Sequence, residues 1–195
     1  VNAFFFFFQR VRCRRKSFLS FVLLELEKIV PTPVEASSVQ VNLGERSYEI
    51  RIVSGALSEL PTLLPNWLDR SVYRAGSSRN AHIVTDRNVR VHANVVREGL
   101  CATGWTCGMT ELEPGEKTKS VANLSALWDD LIALKADRRT VVIAVGGGVM
   151  GDLAGFAAAS FVRGLPFVQV PTTLLADVDS SVGGKTGINH PAAKN

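Results

Sequence analysis

The amino-acid sequence predicts an α/β fold, in which a Rossmann-like parallel sheet follows an N-terminal β-hairpin. Apolar runs with strand character alternate with segments of helical spacing, which is typical of a parallel sheet with right-handed crossovers. The run Val141–Val145 is continuously apolar, as expected for a strand that helices cover on both faces. It leads directly into Gly146–Gly148, a glycine turn that opens a further helical segment. This order of strand, turn and helix is the context in which a glycine turn can bind a phosphate.

The composition is that of a globular chain with one domain. The chain has 195 residues, of which 46% are hydrophobic and 21% charged, and this excludes a low-complexity or wholly disordered protein. Residues 1–40 hold six basic and three acidic residues, whereas the other 155 residues hold 16 and 15. The body is therefore nearly neutral despite a net charge of +4, and no nucleic-acid partner is expected. The chain has three cysteines, Cys13, Cys101 and Cys107, which form no C-x-x-C pair. This odd number and spacing predict neither a disulfide framework nor a thiolate zinc site, and they favour a reduced, cytoplasmic chain.

Residues 1–38 are interpreted as a disordered or spurious N-terminal extension, and residues 39–195 as the folded domain. The extension contains the aromatic run Phe4–Phe8 and then the basic cluster Arg10–Lys16. The apolar run that follows, Phe18–Leu24, is too short to cross a membrane, which needs about 20 residues. Import into an organelle through this basic segment is the alternative to a cytoplasmic location.

The first folded elements are predicted to be a hairpin and a short helix. Apolar and polar residues alternate in Val39–Leu43 and in Tyr48–Val53, and the polar turn Gly44–Ser47 joins these two strands. A short helix is expected over Ser54–Leu64, ending at Pro65 because proline lacks the backbone donor that a helix needs.

The remaining elements alternate between strand and helix. Strands are predicted from apolar runs at Ala81–Thr85, Trp105–Leu112, Val141–Val145 and Pro166–Val170. Helices are predicted from apolar spacings of three and four residues at Val89–Leu100, Ser120–Leu134 and Val149–Val162. The polar turn Asp86–Asn88 follows the first of these strands at its carboxyl end.

The stretch Gly146–Gly151 matches the pattern G-x-G-x-x-G, whose glycines allow a tight turn and a close approach of the backbone to a phosphate. Taken alone the pattern is weak, because a turn that only packs a helix against a strand can also produce it. The acidic residue that holds an adenosine ribose about 20 residues later is missing, since residues 153–176 contain no Asp or Glu. A dinucleotide bound here would need its ribose held by another segment.

A second glycine segment, Gly183–Thr186, looks like the end of a phosphate-binding P-loop. The full pattern requires glycine where Asp179 stands, and no strand leads into the segment, so an ATPase or kinase is excluded. Lys185 remains a candidate partner for a phosphate or a carboxylate.

Longer stretches of the chain resemble the 3-dehydroquinate synthase family. The strongest are Gly146–Gly164 and Gln169–Asn189, followed by His190-Pro191 and Lys194-Asn195. Upstream, similar segments lie at Val39–Val53, Val84–Asn88 and Glu113–Lys119, so that the resemblance spans about Val39 to Asn195.

This resemblance implies a metal-dependent lyase of the shikimate pathway that uses NAD catalytically. The family converts 3-deoxy-D-arabino-heptulosonate 7-phosphate into 3-dehydroquinate and phosphate, and its NAD is regenerated in each turnover. Its metal, zinc or cobalt, binds the substrate hydroxyls as a Lewis acid. The implied partners are this small sugar-acid phosphate and a second copy of the chain, with no nucleic acid and no membrane.

The resemblance also implies roles for individual residues. Catalysis is implied for Asp179 and Lys185. Substrate binding is implied for Arg163, Asp179, Lys185, Lys194 and Asn195, since a substrate with a phosphate and a carboxylate needs several fixed cations. The implied cofactor-binding residues are Asp86, Asn88, Pro114, Gly115, Glu116, Lys117, Thr118, Lys119, Gly148, Val149, Met150, Gly151, Asp152, Thr172, Thr173, Lys185 and Lys194. Among them, Glu116 would supply the ribose carboxylate that is missing after the glycine turn.

No metal ligand is expected within this chain. The family uses one Glu and two His from beyond the matching segment, and none of His82, His92 and His190 corresponds to a ligand. The family's helical C-terminal domain has no counterpart either, so the chain is expected to be a truncated N-terminal half that is inactive alone. Three alternatives stay open: another sugar-phosphate cyclase, a glycerol-dehydrogenase-like NAD enzyme, and a non-catalytic nucleotide-binding fragment.

Overall fold

The computed structural model describes residues 3–8, 37–42, 47–53, 57–68 and 79–194. These residues form one sheet of seven strands with helices on its faces. The strands are β1 (Ala3–Phe8), β2 (Ser37–Val41), β3 (Tyr48–Val53), β4 (Asn80–Asp86), β5 (Thr106–Leu112), β6 (Val141–Gly146) and β7 (Phe167–Pro171). The α-helices are α1 (Leu60–Trp67), α2 (Arg90–Ala102), α3 (Val121–Ala133) and α4 (Gly148–Ser160).

The larger part of the sheet is the parallel unit that the sequence predicts. Its strands stand in the order β7-β6-β4-β5, and each neighbouring pair is parallel. Because these strands run in the same direction, their carboxyl ends meet at one edge of the sheet. The β2–β3 hairpin is antiparallel, with Val39 opposite Ile50, and the predicted fold class is confirmed.

Strand β1 lies where the sequence analysis expects a disordered extension. It pairs in parallel with β3 on one side and with β7 on the other, so that Phe5 stands opposite both Ile50 and Gln169. A run of aromatic residues has high strand propensity, and the slot between β3 and β7 offers backbone partners on both sides. Residues 9–36 of this extension lie outside the described part of the chain, and the division into an extension and a folded domain stays a prediction.

The helices cover both faces of the parallel unit, as the apolar run of β6 predicts. Alternate residues of β6 point to opposite faces. Val141, Ile143 and Val145 pack in one core with buried residues of α1 and α2, which include Leu60, Leu64, Val96 and Leu100. Val142 and Ala144 pack in a second core with buried residues of α3 and α4, which include Leu124, Leu127, Leu131 and Leu153.

Two local details differ from the prediction. Helix α1 runs through Pro65 to Trp67 instead of ending at the proline, and its last turn still closes through a 3.0 Å hydrogen bond from the Leu68 N–H to the Leu64 carbonyl. After β7, Ala176–Ser180 forms a π-helical turn that no apolar pattern announces. Within the described residues, no helix has the length and apolarity needed to cross a membrane.

Candidate functional site

A cleft of about 580 Å³ opens at the carboxyl edge of the parallel strands, and we call it the edge cleft. Along the chain, β5 is added on one side of β4, whereas β6 and then β7 are added on the other. The direction of winding therefore reverses between β4 and β6, which is where open α/β sheets bind ligands. The cleft is lined by Asp86, Asn88, Val89, His92, Gly115, Gly147, Gly148, Val149, Thr172 and Thr173.

The glycine turn between β6 and α4 forms the floor of the edge cleft. A Cβ on Gly146 would lie 2.5 Å from Met150 Cγ, and one on Gly151 would lie 2.5 Å from Gln169 Oε1, so these glycines allow helix and sheet to pack closely. Gly148 faces the cleft, and a Cβ there would lie 2.8 Å from Ser180 Oγ. No side chain caps α4 at Gly147, and a helix N-terminus leaves backbone N–H groups available to an anion. The turn thus packs α4 closely against the sheet and leaves the helix N-terminus without a side-chain cap, and binding of a phosphate there stays a prediction.

Buried hydroxyl groups without partners surround this turn. Thr172 Oγ1 and Ser180 Oγ are inaccessible to solvent and have no hydrogen-bond partner within the described residues. The Thr172 backbone N–H donates to the Gly146 carbonyl at 3.0 Å, which fixes Thr172 beside the turn. Thr173 differs, because its Oγ1 already accepts a hydrogen bond from the Ala176 N–H at 3.2 Å. Since a buried polar group without a partner costs about 1–3 kcal/mol, this arrangement favours a polar ligand at the turn.

Asp177, on the π-helical turn, adds a third unsatisfied group. Its Oδ1 is buried without a hydrogen-bond partner, and burial raises the pKa of the carboxyl group to about 6. The sequence analysis did not single out this residue.

The opposite end of the site is built on Lys119, which lies near the end of the β5–α3 loop. The Lys119 side chain is only 7% exposed, and its Nζ lies 2.9 Å from Asp152 Oδ2 and 3.0 Å from Glu116 Oε1. Burial alone would lower the pKa of Lys119, but the hydrogen bonds to Asp152 and Glu116 outweigh it and raise the pKa. This ion-pair group joins the loop to Asp152 near the N-terminus of α4, 33 residues later. It brings Glu116, an acidic residue from an earlier unit, close to α4, and the predicted role of Glu116 at a ribose stays a prediction.

The segment after the second glycine pair is held against this group. Asn189 Nδ2 donates to Glu116 Oε1 at 2.9 Å, and the Asn189 N–H donates to the Lys119 carbonyl at 2.9 Å. Hydrogen bonds from Asn189 and then from Lys119 lower the pKa of Glu116. Asn189 was not among the predicted site residues, although it lies in one of the stretches that carry the family resemblance.

Asp179 and Lys185, the predicted catalytic residues, form an ion pair at the start of the same segment. Both side chains are more than half exposed. Gly183 and Gly184 turn the chain between them with φ values of +87° and +69°, a conformation that favours glycine. The Gly183 N–H donates to the Tyr48 hydroxyl at 3.2 Å, which ties this loop to the hairpin. The structure brings the pair together, and its catalytic role stays a prediction.

Asp86 and Asn88 line the end of the cleft at β4. The Asn88 N–H donates to Asp86 Oδ1 at 2.9 Å, and the Val89 N–H donates to the Asp86 carbonyl at 3.1 Å. This local turn places both side chains at the carboxyl end of β4, as predicted.

Other predicted site residues lie elsewhere. Met150 is fully buried in the core, and buried Thr118 donates its hydroxyl to the Glu113 carbonyl at 2.6 Å, so both side chains serve packing. Lys117 and Lys194 line a groove outside the edge cleft, and Pro114 is exposed. Asn195 lies outside the described residues.

Arg163 is not brought to the edge cleft within one chain. It follows the carboxyl end of α4, whose 13 residues span about 20 Å from the glycine turn. Arg163 is exposed and has a φ of +73°, which is rare for a residue with a side chain.

The described residues contain no group of three His, Cys, Asp or Glu side chains that could hold a metal ion. His82 is buried, and its Nε2 lies 2.8 Å from Thr110 Oγ1. His92 is the one histidine among the described residues that line the edge cleft. His190 lies on the segment beside Glu116. The residues present therefore do not fit a metal centre.

Comparison with known proteins identifies the family. Residues 109–195 match the model of the 3-dehydroquinate synthase N-terminal domain. A 3-dehydroquinate synthase of Salinibacter ruber is 48% identical over 168 residues, which cover 85% of this chain and 43% of the relative. The chain thus spans less than half the length of this curated relative.

Solved structures of related enzymes share the fold. A 2-deoxy-scyllo-inosose synthase, complexed with carbaglucose-6-phosphate, NAD+ and Co2+, is 26% identical with a TM-score of 0.70, over 82% of this chain and 42% of that structure. A 2-epi-5-epi-valiolone synthase of Streptomyces hygroscopicus, with NAD+ and Zn2+ bound, is 32% identical with a TM-score of 0.55, over 60% and 33% of the two chains. The family match and the identity to the Salinibacter ruber relative show that residues 109–195 belong to the N-terminal domain of the 3-dehydroquinate synthase family, and that the similarity to a curated member extends over 85% of the chain.

Proposed function

We propose that this chain is the NAD-binding part of a 3-dehydroquinate synthase, a phosphate-eliminating lyase that converts 3-deoxy-D-arabino-heptulosonate 7-phosphate into 3-dehydroquinate and phosphate. The observation that carries the proposal is the edge cleft. Its glycine turn, uncapped helix and unpartnered hydroxyls stand at the point where the sheet reverses its winding. These features fit the pyrophosphate of a dinucleotide, whose oxygens accept hydrogen bonds from N–H and O–H groups.

Residues of the edge cleft and of the groove beside it, which Glu116 lines, would divide the dinucleotide between them. The N-terminus of α4 and the Thr172 hydroxyl would bind the pyrophosphate. Glu116 would bind the adenosine ribose, because its two side-chain hydrogen bonds both fall on Oε1 and leave Oε2 for a ribose hydroxyl. Asp86 and Asn88 would complete the adenosine end. When bound, NAD supplies a reversible hydride acceptor, and the residues of this chain supply its orientation.

The phosphate and carboxylate of the substrate would be bound by the segment after β7. Lys185 is the fixed cation of this segment, since its ammonium group is held by Asp179 at a glycine-bounded turn. Lys194 lies near Glu116 at the other end of the segment, where it also lowers the pKa of Glu116 through its charge. Asn195 and Arg163 remain predicted substrate residues. A divalent metal is expected for the whole enzyme.

A chimera tests this proposal. Residues 39–195 would replace the matching segment of the Salinibacter ruber relative, and phosphate release from the seven-carbon substrate would be measured with NAD and added zinc. We expect turnover in the chimera and a loss of at least 100-fold, or about 2.7 kcal/mol, in the same chimera with Lys185→Ala. We expect the chain alone to bind NAD in a calorimetric titration without releasing phosphate. A chimera that folds and binds NAD but releases no phosphate contradicts the proposal.

The second candidate is another sugar-phosphate cyclase, because the solved neighbours named above are cyclases that make cyclitols. Identity favours the synthase, at 48% against 26% for the inosose synthase. Titration of the chimera with carbaglucose-6-phosphate separates the two: tight binding of this compound and no turnover of the seven-carbon substrate would favour the cyclase.

We further propose a homodimer that works in the cytoplasm. The cysteines that the structure describes, Cys101 and Cys107, are free thiols, which is compatible with a reducing compartment. Sedimentation of the chimera would test the dimer.

A further inference from the structure

Asn189 joins two segments that lie 73 residues apart. Its side-chain amide donates to Glu116 Oε1 at 2.9 Å and to the Glu116 carbonyl at 3.4 Å, while its backbone N–H donates to the Lys119 carbonyl at 2.9 Å. Two residues earlier, the Gly187 N–H donates to the Asp152 carbonyl at 3.2 Å. The segment 187–189 is therefore fastened both to the loop before α3 and to Asp152 near the N-terminus of α4.

The contact fixes the orientation of the Glu116 carboxylate. Asn189 and Lys119 donate to the same oxygen from two directions, and this restricts rotation of a side chain that is 42% exposed. A Glu side chain with this exposure otherwise samples several rotamers, which weakens any hydrogen bond that it makes to a ligand.

We propose that Asn189 is a positioning residue, which holds Glu116 in the orientation that binds the cofactor ribose and fastens the substrate-binding segment to the nucleotide end of the site. The inference rests on the proposed function, because it takes the ligand of Glu116 to be NAD. Lys194, a predicted substrate residue, lies five residues after Asn189 and lines the same groove. The contact between Asn189 and Glu116 would therefore hold a cofactor-binding group and a substrate-binding group close together.

The charges around Glu116 support this assignment. The hydrogen bond from Asn189 is the first cause of the lowered pKa of Glu116, ahead of the hydrogen bond and charge of Lys119. Among the described residues, the other charged or titratable groups around Glu116 are Asp152, which is reached through Lys119, Lys117 of the same loop, and Lys194 and His190 on the last segment. Loss of the Asn189 amide should raise the pKa of Glu116, so that NAD affinity falls away at a higher pH in a variant than in the wild type.

Calorimetric titration of the 195-residue chain with NAD, between about pH 3 and pH 8, tests the proposal, because the lowered pKa of Glu116 places the wild-type acid limb at the low end of this range. We expect Asn189→Ala to weaken NAD binding about tenfold, and to move the acid limb of the affinity profile upward. Asn189→Asp places a second carboxylate beside Glu116, so it should weaken binding further than alanine does. The matched control is Asn123→Ala, because the Asn123 amide donates to the Thr118 carbonyl of the same loop at 2.9 Å without touching Glu116. It should lower the melting temperature and leave the affinity for NAD within about twofold.

The outcomes separate the inference from the proposed function. Unchanged affinity in Asn189→Ala, or an equal loss in Asn123→Ala, overturns the role of Asn189 while NAD binding by the wild type stands. A wild-type chain that binds no NAD contradicts the proposed function. In that case the pKa of Glu116, measured by carbon-13 NMR, tests whether Asn189 donates to the Glu116 carboxylate. A higher pKa in Asn189→Ala supports this hydrogen bond, and an unchanged pKa overturns it.

Discussion

The two ends of the site differ in how their polar groups are satisfied. At the first, which we call the paired end, Lys119, Glu116, Asp152 and Asn189 bind one another through hydrogen bonds and ion pairs. At the second, which we call the open end, the hydroxyl groups of Thr172 and Ser180 are buried beside the glycine turn without partners in the described part of the chain.

This difference separates polar groups that find partners within the folded chain from polar groups that would find a partner only in a bound ligand. The paired end is sensitive to substitution, since removing one partner of a buried ion pair leaves the other charge uncompensated. The open end lowers stability, because its unsatisfied groups have lost their hydration, and a bound ligand would restore that energy. Removal of a charge at the paired end should therefore act mainly on the free energy of unfolding, whereas substitutions at the open end should act mainly on the affinity for NAD.

The largest effect is expected from Lys119→Met, which removes the cation of the paired end. The side chains of Asp152 and Glu116 then face each other without the ammonium group between them, and the buried Asp152 carboxylate, 16% exposed, loses its partner. We expect the free energy of unfolding to fall by about 3 kcal/mol, or roughly 6–12 °C in melting temperature. Lys117→Met is the control, because Lys117 is exposed two residues away. Equal melting temperatures for the two variants would show that the paired end does not stabilise the fold.

At the open end, Gly148→Ala should reduce NAD affinity by at least tenfold, or about 1.4 kcal/mol. The added methyl group would lie 2.8 Å from Ser180 Oγ and must displace the side chain of Ser180 or the turn itself. Calorimetry measures the loss. If this contact is its cause, the double variant Gly148→Ala/Ser180→Gly should bind NAD as well as Ser180→Gly does alone. A double variant as weak as the single one would place the cause elsewhere in the turn.

A pair of isosteric substitutions compares the two ends directly. Thr118→Val removes a hydroxyl that donates to the Glu113 carbonyl at 2.6 Å, and should lower the free energy of unfolding by about 1 kcal/mol. Thr172→Val removes a buried hydroxyl without a partner, so it should leave stability unchanged or raise it, while weakening NAD binding about fivefold. Thermal melts and NAD titrations of both variants supply the test. The comparison fails if Thr172→Val destabilises the chain as much as Thr118→Val does.

The sequence predicts the open end better than the paired end. The turn after β6 follows from a continuous apolar run, three glycines and a helical segment, all within about fifteen residues, and local patterns of this kind fix local geometry. The contacts of the paired end join residues 33 and 73 positions apart, and no periodicity relates them. Family resemblance supplied Glu116, Lys119 and Asp152 but did not supply Asn189.

The π-helical turn and strand β1 could not be predicted from local sequence patterns either, for a different reason. Leu174, Leu175 and Val178 are apolar yet at least 66% exposed, so the π-helical turn has no buried stripe from which it could be predicted. Strand β1 comes from a run of phenylalanine that composition alone assigns to an extension. Its place in the sheet depends on the backbone groups that β3 and β7 offer, which are specified far along the chain.

The smallest expected effect concerns Asp177, whose raised pKa makes the open end sensitive to pH. With an unfolded pKa near 4 and a folded pKa of about 6, the folded chain binds more protons between these values, so stability falls as the pH rises through this range. Asp177→Asn removes the charge and should raise the free energy of unfolding by about 1 kcal/mol at pH 8, or roughly 2–4 °C, with no gain near pH 4. Asp179→Asn is the matched control, because its carboxylate lies on the same turn but is 59% exposed. Melting temperatures at both pH values distinguish the two variants. If Asp177→Asn raised the melting temperature equally at both pH values, the effect would come from packing. The ionised form of Asp177 would then not be destabilised by burial at the open end.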